Sequence, residues 1–295
     1  MNRPPSIASR IVCAFCIVLC ASVAFAQTSP NAACSFQLLD FPSFVSSAGG
    51  INDGGAVVGG FSVGLRTNSQ AFLFYRGRFT PFTFPGSVGS FASDINRNSQ
   101  IVGQYLDRSG RLHGFVVHSG AFRSIDFPNA ANGTTANGIN SSGAIVGTYF
   151  DAANRSHAFL LYNGRFVSFS FPGATSTSAS GINDNSVIVG TYELAGRSHG
   201  FQVRHGAFGT IDFPGATSTV VTKVNNAGDI VGSYTNETGQ HGFVLTNNQF
   251  LTLDDPDAQS TFIAGVNNLK QIVGGVATAT SFNSLAFQAD CRNVF

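Results

Sequence analysis

One peptide pattern returns along this chain at a nearly constant interval, and it restricts the fold more than any other feature. An apolar residue followed by Asn occurs at Ile51-Asn52, Ile95-Asn96, Ile139-Asn140, Ile182-Asn183, Val224-Asn225 and Val266-Asn267, with the asparagines 44, 44, 43, 42 and 42 residues apart. Three further markers follow in fixed order. An Ile/Val-Val-Gly ends at Gly59, Gly103, Gly147, Gly190, Gly232 and Gly274. A small residue then precedes Phe72, Phe115, Phe159, Phe201, Phe243 and Phe287. An apolar run last closes on Phe-Pro at Pro85, Pro128, Pro172 and Pro214, with Asp255-Pro256 as a divergent copy. Self-similarity at such a period means that each copy is one supersecondary unit that buries its faces against its neighbours.

Each marker lies in a short run of Val, Ile, Phe, Tyr and Thr bounded by Gly, Asn, Ser or Pro, which reads as four strands per copy. In the fourth copy the pattern predicts strand A near residues 179–183, B near 187–194, C near 198–204 and D near 207–213. The C–D connections are two-residue steps such as Asn163-Gly164, suited to the positive φ of tight hairpins. The Pro after D has no N–H for a ladder and stops that strand. Four strands in about 40–45 residues is the size of a β-propeller blade. The expected fold is therefore all-β, a six-bladed propeller of four-stranded blades. Its ends support closure. Phe36 to Pro42 matches strand D with no A, B or C before it, and the sixth copy has A, B and C but no D. The N-terminal strand is expected to complete the last blade and remove the open sheet edges.

Residues 1–26 read as a secretory signal: Arg3 and Arg10, a short apolar stretch over 11–23, and Ala24-Phe25-Ala26 as the cleavage site. Residues 27–35 are then a short N-terminal segment and 36–291 a single propeller domain. The apolar stretch is too short for a bilayer span, and no later one qualifies. Three of the five cysteines lie in the signal. Cys34 and Cys291 remain, one before the N-terminal D strand and one after the last C strand. A closed ring makes them neighbours, so a Cys34–Cys291 disulfide is expected in an oxidising compartment. Export places the protein in the periplasm or outside the cell. Without the signal the chain keeps 14 basic and 15 acidic residues with no basic run, which argues against nucleic acid as a partner.

The string G-I-N-x-x-G-x-I-V-G-x-Y, then x-H-G/A-F, then F-x-x-I-D-F-P-G-A, resembles the HAF-type extracellular repeat family. His157-Ala158-Phe159 carries its central motif literally, and His113, His199 and His241 carry it with Gly in the middle. The first and last copies have Gln70 and Leu285 in place of the His. The resemblance spans residues 36–289. It implies a secreted, mostly bacterial protein of propeller type and brings no reaction with it.

A residue that recurs at repeat positions is read as structural, whereas an active site usually breaks the repeat. His113, His157, His199 and His241 are equivalent and are expected to bond a neighbouring strand or turn within each blade. Most carboxylates recur likewise; Asp94, Asp229, Asp255, Asp257 and Asp290 do not. No nucleophile elbow, zinc-protease motif, phosphate loop or dinucleotide fingerprint occurs, and no cofactor or metal is expected. The B–C connections vary most in chemistry: Tyr105, Asp107 and Arg111; Tyr149, Asp151 and Arg155; Tyr192, Glu193 and Arg197; Tyr234 and Glu237. They share a rim with the D–A connections and are the candidate binding residues, against the reading that they are solvated hairpins with weak acid–base pairs. The leading function is a monomeric binding module presenting that rim to a glycan, envelope component or protein. The alternatives are a hydrolase or lyase using the axial channel, and a structural envelope or matrix protein.

Overall fold

The computed structural model describes residues 26–27, 34–39, 45–62, 69–278 and 281–295. The signal-segment reading for residues 1–25, with Cys13, Cys16 and Cys20, lies outside them, as does most of residues 27–35.

The repeat folds as its pattern requires. Among the described residues there are six sheets, each holding an antiparallel run of four strands; five copies supply all four of their own and the sixth supplies three. In the fourth blade, strand A is Ser176–Ile182, B Ile188–Leu194, C Arg197–Arg204 and D Ala207–Ile211. The C–D steps turn through positive φ at both positions, 50° and 74° at Asn163-Gly164 and 51° and 82° at His205-Gly206, the geometry that matches hairpin twist. The sixth blade has A at Ser260–Val266, B at Gln271–Thr278 and C at Ser281–Asp290. Its outermost strand is Ser35–Leu38, paired antiparallel from Ser35↔Asp290 to Leu38↔Phe287. The N-terminal strand thus closes the ring, and the Cys34–Cys291 disulfide, with Cα atoms 4.6 Å apart, pins that closure. A two-residue strand, Ala26–Gln27, also runs parallel to the outer edge of the fifth blade at Gln249 and Phe250.

The six marker phenylalanines, Phe72 to Phe287, are fully buried. The Gly of Ile/Val-Val-Gly makes room for them: a Cβ on Gly147 would lie 2.7 Å from the Phe159 ring and 2.0 Å from the Thr135 carbonyl.

The A strands surround the axis, and every one carries a register shift between the fourth and second residues before its marker Asn, as between Ala136 and Gly138. Such a bulge re-aims the residue that follows it. Those residues are Gly50, Asp94, Gly138, Gly181, Lys223 and Gly265. Close approach at the axis explains the glycines, because a Cβ on Gly138 would meet the Gly181 Cα at 2.8 Å.

Candidate functional site

The marker asparagines converge at the A–B end of the axis, where they close a ring of hydrogen bonds. Each side-chain oxygen accepts the N–H four residues on, from Ala56, Gln100, Ala144, Val187, Asp229 and Gln271 at 2.9–3.0 Å. Each Nδ2 donates to the carbonyl of the next asparagine: Asn52 to Asn96, Asn96 to Asn140, and onward until Asn267 returns to Asn52. The Asn therefore shapes its own A–B turn and ties its blade to the next.

The residues after these asparagines, Asp53, Arg97, Ser141, Asp184, Asn226 and Asn268, form a second ring above the first and rim a cavity of about 190 Å³ on the axis. Four N–H groups of this ring donate to a side-chain oxygen at the same position of a neighbouring blade: Ser141 to Asp184, Asp184 to Asn226, Asn226 to Asn268 and Asn268 to Asp53, at 2.7–2.8 Å. Asp184 also accepts the Ser141 hydroxyl and the Asn226 amide. Partial burial opposes ionisation of Asp184, but these donors, with the positive charge of Arg97, hold its carboxyl below the usual range.

Asp94 and Lys223 form the floor. They replace the axial Gly in the second and fifth blades, which face each other across a six-membered ring. Their charged atoms are 3.4 Å apart, with side chains 13% and 9% exposed. Lys223 Nζ also donates to the carbonyls of Asn137 and Ser180. Asp94 accepts N–H from Ile95 and Ile139 at 2.9 and 3.1 Å. The pair thus joins the second, third, fourth and fifth blades and crosses the axis below the cavity, making a basin. Burial pushes the Asp94 carboxyl up and the Lys223 ammonium down, each resisted by the other's charge.

The residues expected to form a binding rim are elsewhere, and many of them hold the blades together. Tyr105, Tyr192 and Tyr234 are buried and Tyr149 is half-buried. Each is the middle of a three-ring stack. The Phe of the preceding blade's Phe-Pro lies flat on one side at 3.6–3.8 Å, and His113, His157, His199 or His241 lies on the other at 4.9–5.1 Å. Each hydroxyl meets a Ser or Thr of its own D strand, as Tyr192 meets Thr210 at 3.0 Å. This takes the tyrosines off the exposed rim, because the stack fills the seam between blades. Three of the histidines reach, through Nδ1, an Asp just after strand D: His113 to Asp126, His199 to Asp212 and His241 to Asp254. His157 meets Ser170 instead.

Most of the charged loop residues are also engaged. Asp107 accepts the Ser109 hydroxyl and the N–H of Ser109 and Arg111, and Asp151 the N–H of Ala153 and Arg155. The Ser109 hydroxyl in one loop and the Arg155 N–H in the other lead the interactions that hold these carboxyls well below their ordinary range. Arg111 donates to the Ala130 carbonyl, Arg197 to those of Ala216 and Thr217, and Glu193 accepts from Ser198. Arg155 pairs with Asp151 at 2.8 Å, and Glu237 is exposed.

Among the described residues, no group of three or more His, Cys, Asp or Glu side chains converges on a metal position. No helix there is long and apolar enough to cross a membrane.

No family model matches the chain, and no curated protein matches it. Solved structures share its fold. The lectin of Aleuria aurantia in complex with Fucα1-6GlcNAc is 12% identical with a TM-score of 0.54, covering 84% of this chain and 93% of its own. A streptogramin B lyase is 12% identical with a TM-score of 0.50, covering 87% and 98%. A gluconolactonase from Xanthomonas campestris is 11% identical with a TM-score of 0.51, covering 87% and 89%. At this identity the likeness shows the propeller fold alone.

Proposed function

We propose that this protein is an exported binding module whose ligand, a small polar molecule or the terminal sugar of a glycan, seats in the axial basin at the A–B end. One observation carries the reading: the basin rim is a ring of amide, carboxylate, hydroxyl and guanidinium groups, most of them fixed by bonds to the next blade. Polar groups held in place before binding lose little freedom when a ligand arrives. The cavity of about 190 Å³ is smaller than the roughly 300–1,000 Å³ of sites for drug-sized ligands, so it suits one ring or a short polar chain. Binding is favoured over turnover because Asp94 and Lys223 spend their hydrogen bonds on each other and on backbone. A lectin shares the propeller fold, which supports a glycan ligand. The secretory-signal pattern and the disulfide support export, since such bonds persist in oxidising compartments.

The test is thermal melting of the oxidised chain against a panel of soluble neutral and acidic sugars and oligosaccharides. A ligand at a hundred times its Kd stabilises by about 2.7 kcal/mol. The expected result is a saturable rise in Tm that Ser141→Phe, which fills the mouth, abolishes and that Asp107→Ala with Glu237→Ala preserves. The reverse pattern moves the site to the B–C rim, and a panel with no shift removes the reading.

A further inference from the structure

The rim of the basin repeats one bond four times and lacks it twice. In four sectors the N–H after the marker Asn donates to an oxygen of a neighbouring blade's Asp or Asn side chain. The N–H of Asp53 would need that oxygen from Arg97, whose side chain has no acceptor. The N–H of Arg97 would need it from Ser141, whose short hydroxyl is turned to Asp184 at 2.9 Å. Among the described residues, neither N–H has an acceptor, and the exposed Arg97 guanidinium has no hydrogen-bond partner. The Asp53 carboxylate reaches in the other direction, to Asn268 in the sixth blade at 2.7 and 2.8 Å. One sector therefore presents two backbone donors and a guanidinium with no hydrogen bond to a protein oxygen, on a rim whose other four N–H groups are paired.

We propose that this sector is an anion subsite, and that it takes the carboxylate of a small polyhydroxylated acid of the hexuronic or aldonic class. The inference rests on the basin being the binding site. A ligand carboxylate there stands where Asp or Asn oxygens stand in the other four sectors. Guanidinium and carboxylate match as a planar two-bond pair. The ligand's hydroxyls then face Asp184 and Asn226 across the mouth, where oxygen lone pairs remain to accept them. A neutral sugar leaves Arg97 and both N–H groups to water, so the acid form is selected.

The experiment is an NMR titration of the ¹⁵N-labelled, disulfide-intact chain with D-glucuronate, D-galacturonate and D-gluconate, and with D-glucose and glucose 6-phosphate as controls. The expected result is a saturable shift of the Asp53 and Arg97 amides and the Arg97 Nε–H with at least one acid. Its affinity is at least tenfold that of glucose. Arg97→Gln lowers it tenfold or more without changing Tm, and Arg97→Lys retains part of it. Equal affinity for glucose, tighter binding of the phosphate, or no saturable response to any acid overturns the proposal. Sugar binding at the basin amides that ignores Arg97 removes this inference and leaves the basin reading standing. Binding that shifts only the B–C loops removes both.

Discussion

Four of the six A strands place Gly at the axis, and the two that do not supply opposite charges facing each other, so removing the pair together should cost less than removing it by halves. At 3.4 Å and an effective dielectric constant near 20, the attraction between Asp94 and Lys223 is about 5 kcal/mol, set against desolvation of both groups. Lys223→Gly leaves Asp94 beside two N–H groups with no counter-charge, and Asp94→Gly leaves Lys223 on two carbonyls. Breaking a buried pair from one side costs about 3–5 kcal/mol. In the double variant no buried charge is left, and both positions carry the residue that the other blades use. Two added strand glycines cost about 1–2 kcal/mol together, and the freed carbonyls of Asn137 and Ser180 turn to basin water. Melting curves of the four proteins should show single variants lowered by about 10 °C and the double by only a few degrees, at about 2–4 °C per kcal/mol for chains near this size. The pH adds a sign. Asp94 already has a raised folded pKa from burial, and losing Lys223 raises it further. A carboxyl of that kind contributes stability below its unfolded value near 3.8, and the contribution is lost as pH rises through the folded value. The deficit of Lys223→Gly against the double variant should therefore be small at pH 4 and larger at pH 8. Additive losses, or a deficit that does not change with pH, would refute the reasoning.

Further outcomes follow from the same geometry. Asn183→Ala strips an acceptor from the Val187 N–H and a donor from the Asn225 carbonyl; the cost should be about 2–3 kcal/mol, read as a lower denaturant midpoint. Tyr192→Leu opens the Phe171–Tyr192–His199 stack and should destabilise by about 2–4 kcal/mol while leaving affinity for a basin ligand unchanged in calorimetric titration. Asp107 and Asp151 have depressed folded pKa values, so the stability they contribute is present above the unfolded value near 3.8 and falls away as acid protonates them. Replacing both by Asn should flatten the fall in Tm between pH 5 and pH 2.

The fold was legible because its information is periodic. Asn52 to Asn267, Gly59 to Gly274 and Phe72 to Phe287 each satisfy one local need six times, and the orphan D strand at Phe36 declared the closure. The candidate site was less legible because side-chain chemistry was weighed in the loops, where it varies most visibly. There Tyr105, Tyr149, Tyr192 and Tyr234 looked like ligand contacts. Their spacing to the Phe-Pro and His markers instead builds an aromatic seam between blades, a contact between two copies that no single copy displays. The signal for the basin was present two residues before each marker Asn: Gly in four copies, Asp94 and Lys223 in copies three apart. In a ring of six that separation is a diameter, so the two charges meet. Arg97 carries the same kind of signal, a long cation where the other copies place Asp, Asn or Ser. What sequence could not supply was the bulge in each A strand that turns positions 94 and 223 onto the axis.

The most direct measurement is a crystal structure of the oxidised chain soaked with the tightest ligand from the melting panel. The basin reading predicts density above the Asp94–Lys223 floor, within the ring of Asp53, Arg97, Ser141, Asp184, Asn226 and Asn268. Ordered ligand among the loops of Asp107, Asp151, Glu193 and Glu237 at the opposite end, with the basin holding only water, would contradict it.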